Sequence, residues 1–87
     1  MLIVQNDTGN ASSPTTIVAG MTSQPKKYYP FHVDVKGAEC GLKKDGIILL
    51  EQLQTLDISE LGPCAGRLPA SRMAEVDKAL RISLGLT

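Results

Sequence analysis

The sequence predicts a mostly β fold of the α+β class, small and finished by one C-terminal helix. Three observations carry this. Runs rich in Ile, Val, Leu and Thr recur at Leu2–Val4, Thr15–Met21 and Ile47–Leu56. Phe31–Val35 alternates apolar with polar residues, the period of a strand with one buried face. Only Pro69 to Leu84 has helical spacing, with Met73, Val76, Leu80 and Leu84 at steps of three and four.

At the N-terminus, Leu2–Gln5 reads as a short buried strand. Asn6 to Pro14 reads as a turn, because Asn, Asp, Gly and Ser accept positive φ or hydrogen-bond their own backbone. Thr15–Thr22 is a strand buried on at least one face, since β-branched side chains suit a pleated surface. Gln24 to Pro30 is a loop fenced by two prolines. In the strand after it, Phe31, Val33 and Val35 share one face, with His32 and Asp34 on the other. Gly37–Asp45 is a connecting loop. The long run from Ile47 to Leu56 is a bent strand, because Glu51 interrupts an apolar block that helix periodicity does not explain. Ser59 to Pro63 makes one helical turn, stopped by Gly62-Pro63. Pro69 sits near the first turn of the final helix, where its missing N–H does no harm, and Gly85 is its C-cap.

Composition narrows the function. A chain of 87 residues is one small domain, burying only about 60–65% of the surface its unfolded form exposes. Nine Lys plus Arg balance nine Asp plus Glu, so any nucleic-acid binding must come from a local patch. Cys40 and Cys64 are too few and too far apart for a zinc site of paired ligands and are expected as free thiols. Met1–Val4 has neither the basic flank nor the length of a signal peptide. No apolar run approaches the ~18 residues of a membrane span. The expected location is cytoplasmic, and no cofactor is expected.

Three segments resemble the MazF/PemK family of toxin endoribonucleases from bacterial toxin–antitoxin modules. They are Leu2 to Gln24, Gly46-Ile-Ile-Leu-Leu-Glu-Gln-Leu-Gln-Thr-Leu-Asp57 and Met73 to Leu86, in family order and spacing. The resemblance implies a single toxin domain over residues 1–87, built as a small SH3-like barrel of the MazF/CcdB/PemK type. Family members begin with an extra strand and a loop ending in arginine. The chain opens at the threshold of the second family strand, so the expectation is this barrel missing its first strand, an N-terminally truncated domain.

The family's chemistry cuts RNA without metal, with the RNA's own 2′-hydroxyl as nucleophile. The site must then move protons and stabilise charge developing on the phosphate oxygens. The resemblance implies that Thr22, through Ile17-Val-Ala-Gly-Met-Thr22, is the catalytic hydroxyl. The other reading of Thr22 is a β-former at a strand end. The catalytic arginine has no counterpart, since Arg67, Arg72 and Arg81 match nothing catalytic in the family. Activity of the chain alone is therefore an open expectation. Glu51 and Gln52 match positions at a strand bend facing the RNA groove; otherwise Glu51 points outward or pairs with a lysine. Gln54 departs from the family, where many relatives carry a basic residue.

Lys26-Lys27-Tyr28-Tyr29 sets two cations beside two aromatics. Lys26 and Lys27 can meet phosphates while Tyr28 stacks on a base, although the loop is a residue shorter than the family's. A solvated loop is its other reading. His32 matches a common family histidine and is expected in a structural hydrogen bond. Asp7 and Asn10 read as turn builders, and Glu75 and Asp77 as solvated residues on the outer helix face.

The resemblance thus implies a sequence-specific endoribonuclease of single-stranded mRNA. It would be a homodimer neutralised by a cognate antitoxin, touching operator DNA only within the toxin–antitoxin complex. Two other readings are a catalytically inactive, truncated homologue that only binds antitoxin or pairs with an intact toxin, and an SH3-like barrel used for unrelated protein contacts.

Overall fold

A computed structural model of the chain describes residues 1–23 and 29–86. Strands β1 (Leu2–Ile3), β2 (Thr15–Thr22), β3 (His32–Val35) and β4 (Gly46–Asp57) form one antiparallel sheet in the order β1-β2-β4-β3. Helix α1 spans Asp7–Ser12, α2 spans Gly37–Cys40 and α3 spans Ala70–Leu84. A 3₁₀ turn at Ile58–Glu60 comes after β4. The sheet curls, and α3 packs against β3 and β4.

Strand β2 has the bounds its sequence predicts. Strand β1 is shorter than expected and only half-buried. Its ladder ends where the amides of Val4 and Gln5 both reach the Ile17 carbonyl, at 2.9 and 3.4 Å. The expected turn from Asn6 to Pro14 contains α1 instead. Asn6 is the reason: its Oδ1 accepts the Gly9 amide at 2.8 Å, so a residue that could have built a turn caps a helix. Gly9 is needed there because a Cβ would lie 2.8 Å from the Gln5 side chain. Gln5 in turn donates to Asn10 Oδ1 at 3.1 Å, and buried Thr16 donates to the same oxygen at 2.6 Å. Asn10 thus ties α1 to β2, a larger task than turn building.

The loop expected at Gly37–Asp45 begins with α2, ended by Gly41 at φ 78°. That left-handed conformation suits glycine because it has no Cβ to clash. The expected turn near Ser59 is the 3₁₀ turn. Helix α3 starts one residue after Pro69 and ends at Gly85, whose φ is 69°. Its inward stripe is Met73, Val76, Ala79 and Leu80. Leu84 stands 55% exposed, because Ser83 takes the inward position in the last turn, its Oγ bonding the Leu50 carbonyl. Asp77 is exposed as expected, whereas exposed Glu75 accepts Arg72 Nη1 at 2.8 Å.

The core joins Ala19, Val33, Val35, Cys40, Ile48 and Leu50 of the sheet side to Val76 and Ala79 of α3. Burying side chains the size of Ile48 or Leu50 contributes about 1.5–3 kcal/mol each. Cys40 is part of this core and Cys64 is exposed; both are free thiols.

Strand β4 bends through a break in register. Gly20 pairs with Leu49, but its neighbour Ala19 pairs with Leu53. One step along β2 therefore spans four along β4, so Leu50, Glu51 and Gln52 bulge out of the ladder with β2. The Leu50 amide bonds the Phe31 carbonyl at 3.1 Å, and its carbonyl accepts Ser83 Oγ of α3 at 2.9 Å. The bulge is thereby fixed from both sides. A bulge re-aims the side chains beside it, and bulges concentrate next to functional sites.

Candidate functional site

Cross-strand register sorts residues by face. The row Met21, Ile48 and Val33 points into the core. Alternation then turns the rows Thr22–Ile47–Asp34 and Gly20–Leu49–His32 to the opposite, outer face. Thr22 is half-buried there, two residues along β2 from Gly20 and so about 6.6 Å away in an extended strand.

The bulge delivers its polar side chains to that face. Gln52 lies across Gly20: a Cβ at Gly20 would stand 3.2 Å from Gln52 Oε1 and 3.5 Å from its Cβ. Gly20 is thus the bare floor that lets the amide lie flat on β2. Sequence reasoning passed over it, although a glycine inside a strand signals a bulge or a close approach. Next to it, Met1, Val18, Gly20, Gln52, Leu53 and Gln54 line a depression of about 270 Å³. The polar side chains in its lining are the neutral amides of Gln52 and Gln54, suited to hydrogen-bonding groups.

Glu51 swings the other way, over β3. Its two carboxylate oxygens lie 2.9 and 3.2 Å from His32 Nε2. A carboxylate only accepts, so Nε2 carries the hydrogen. Where a lysine was expected beside Glu51, this contact is with a histidine, and the Glu51 side chain stays 38% exposed, keeping part of its hydration. His32 lies on the face expected of it, yet only 8% of it is accessible. Tyr29 and Phe31 bury it, each edge-on to its ring with centroids 5.2 and 5.0 Å away, and stack on each other at 5.1 Å.

The structure therefore brings Thr22, Glu51 and Gln52 to one sheet face. Lys26, Lys27 and Tyr28 lie outside the described residues. Arg72 is engaged elsewhere: its guanidinium donates to Glu39 at 3.1 Å and to Glu75 at 2.8 Å. Hydrogen bonds to Glu39 first, then Glu75, push its pKa above the ordinary arginine range. Among the described residues no cluster of three or more His, Cys, Asp or Glu could hold a metal ion. No helix among them is long and apolar enough to cross a membrane.

A curled antiparallel sheet of four strands backed by a C-terminal helix is the architecture of a MazF-type fold. The solved structure described as Mycobacterium tuberculosis toxin MazF-mt6 shares it, with a TM-score of 0.88 over 99% of this chain and 85% of that one at 23% identity. The description "PemK-like, MazF-like toxin of type II toxin-antitoxin system" matches residues 1–84, and the chain belongs to that family. It is 49% identical over 87 residues to the Endoribonuclease MazF of Staphylococcus epidermidis, covering 99% of this chain and 72% of that protein. A mycobacterial endoribonuclease solved in complex with its cognate antitoxin is similar too. It has a TM-score of 0.87 at 26% identity, over 99% of this chain and 80% of that one.

Proposed function

We propose that this chain is the endoribonuclease toxin of a type II toxin–antitoxin module, a single domain that cuts single-stranded mRNA at a preferred sequence. The observation that carries the reading is the outer sheet face shared by Thr22, Glu51 and Gln52. RNA laid across that face presents a phosphate to the Thr22 hydroxyl, which donates to an oxygen on which charge develops. The attacking group is the RNA's own 2′-hydroxyl: it gives up its proton as the 2′-O–P bond forms, the P–O5′ bond breaks, and the leaving 5′-oxygen takes up a proton, so the nucleophile needs no metal. Gln52 and Glu51 offer an amide and a carboxylate to base edges. Lys26 and Lys27 contribute local phosphate attraction and Tyr28 a stacking surface, which lets a chain of zero formal net charge hold a polyanion.

The partners in this reading are single-stranded RNA and a cognate antitoxin that competes for the same face. The chain works as a homodimer in the cytoplasm and meets operator DNA only within the toxin–antitoxin complex. A guanidinium beside Thr22 would neutralise the scissile phosphate better than a hydroxyl alone. Arg72 is committed to Glu39 and Glu75, so the test includes a version extended upstream with a loop ending in arginine. Both chains are incubated with a long mRNA in EDTA and the cut sites mapped. Cuts at one recurring short sequence, suppressed by antitoxin, are expected and should be strongest for the extended chain. An intact RNA with both chains contradicts the reading.

A further inference from the structure

The row Gly20–Leu49–His32 crosses three adjacent strands on the outer face. The two exposed bulge residues settle at its opposite ends, Gln52 over Gly20 on β2 and Glu51 over His32 on β3. Strand spacing sets those ends roughly 10 Å apart, so two side chains consecutive in sequence address separate points of a bound ligand. Different supports keep them splayed. Gln52 rests on a bare glycine. Glu51 is met by a ring held rigidly by its surroundings: the His32 amide bonds the Tyr29 carbonyl at 3.0 Å, and two aromatic rings confine the imidazole. Packing alone does not ask for a polar ring at a site where its side chain is 5% accessible. An aliphatic residue would fill the space without a hydrogen-bonding requirement.

We propose that His32 is a positioning residue for RNA base discrimination, its Nε2–H anchoring the Glu51 carboxylate at the β3 end of the bulge. This rests on the endoribonuclease reading. His32 does not touch RNA; it acts through Glu51, fixing where the carboxylate meets a base. Losing it leaves RNA attraction in place, because that comes from elsewhere on the chain, but blurs selection at one nucleotide.

The experiment measures binding of 2′-O-methyl RNA dodecamers, which cannot be cut, to the chain and to the His32→Leu, His32→Gln, Glu51→Ala and His32→Leu/Glu51→Ala variants. The oligomers carry the preferred sequence or one changed base at a time, and circular-dichroism melts confirm that each variant is folded. The chain is expected to discriminate at several positions. His32→Leu should lose about tenfold at one of them, the size of a good polar base contact, with affinity for the mismatched RNA unchanged within roughly threefold. His32→Gln, whose amide N–H can still reach Glu51, should recover most of the loss. The double variant should be no worse than Glu51→Ala alone, the signature of one residue acting through the other. Intact discrimination in a folded His32→Leu, or equal loss in His32→Gln, overturns the proposal. If His32→Leu does not fold, full discrimination by Glu51→Ala overturns it. A chain that binds no RNA overturns the functional reading as well, whereas a discriminating chain with indifferent variants removes only the role of His32.

Discussion

Replacing Thr22 by valine is expected to slow RNA cleavage by on the order of a hundredfold or more, the usual effect of removing a principal transition-state donor. Valine keeps the β-branched shape that suits the end of β2, and Met21, the neighbour that enters the core, is untouched. The thermal midpoint should therefore move by only a few degrees, and KM by a few-fold. Single-turnover kinetics on a fixed RNA separate the terms. A variant that loses stability but cleaves at the original rate reduces Thr22 to a strand former. Serine in its place restores a hydroxyl without the methyl and should recover most of the rate.

Replacing Leu50 by alanine is expected to destabilise the fold by about 3–5 kcal/mol. Leu50 is 0% exposed in the core and belongs to the register break that presents Glu51 and Gln52. The loss combines the transfer energy of the deleted carbons with a cavity that the rigid sheet cannot close. Against a total stability of roughly 4–13 kcal/mol for a chain of 87 residues, that removes about a third or more of what holds the fold together at mid-range. Urea melts should show a lower midpoint with an unchanged slope. A destabilisation under about 1 kcal/mol would mean that the bulge is not locked into the core.

The strands were legible because their signals are local. Thr15–Thr22 is rich in the β-formers Thr, Ile and Val, and its predicted limits are those of β2. The bend in β4 was legible for a different reason: a carboxylate inside Ile47–Leu56 has no place in a flat, two-sided buried strand. Helix α1 escaped because Asn serves both as a turn residue and as a helix cap, and only the folded surroundings decide between them. The capping bond to Gly9 and the Gln5–Asn10–Thr16 contacts made the helix the better outcome.

The candidate site was half legible. The family resemblance of their segments singled out Glu51, Gln52 and Thr22, but their common face needs the register of β2 on β4. Period two gave the faces of His32 to Val35 but misplaced Phe31, whose ring packs on His32 instead of joining Val33 and Val35 in the core, and it gave no sign of the burial of His32. That burial depends on Tyr29 and Phe31 folding over the ring and on a carboxylate 19 residues away. Gly20 acquires meaning only once Gln52 is seen lying on it.

Amide chemical-shift mapping with a non-cleavable 2′-O-methyl RNA tests the central claim most directly. The account predicts that the largest changes fall on Gly20, Thr22, His32, Glu51 and Gln52, the polar outer face around the bulge. Changes confined to α1 or to the solvent side of α3, with that sheet face silent, would contradict it.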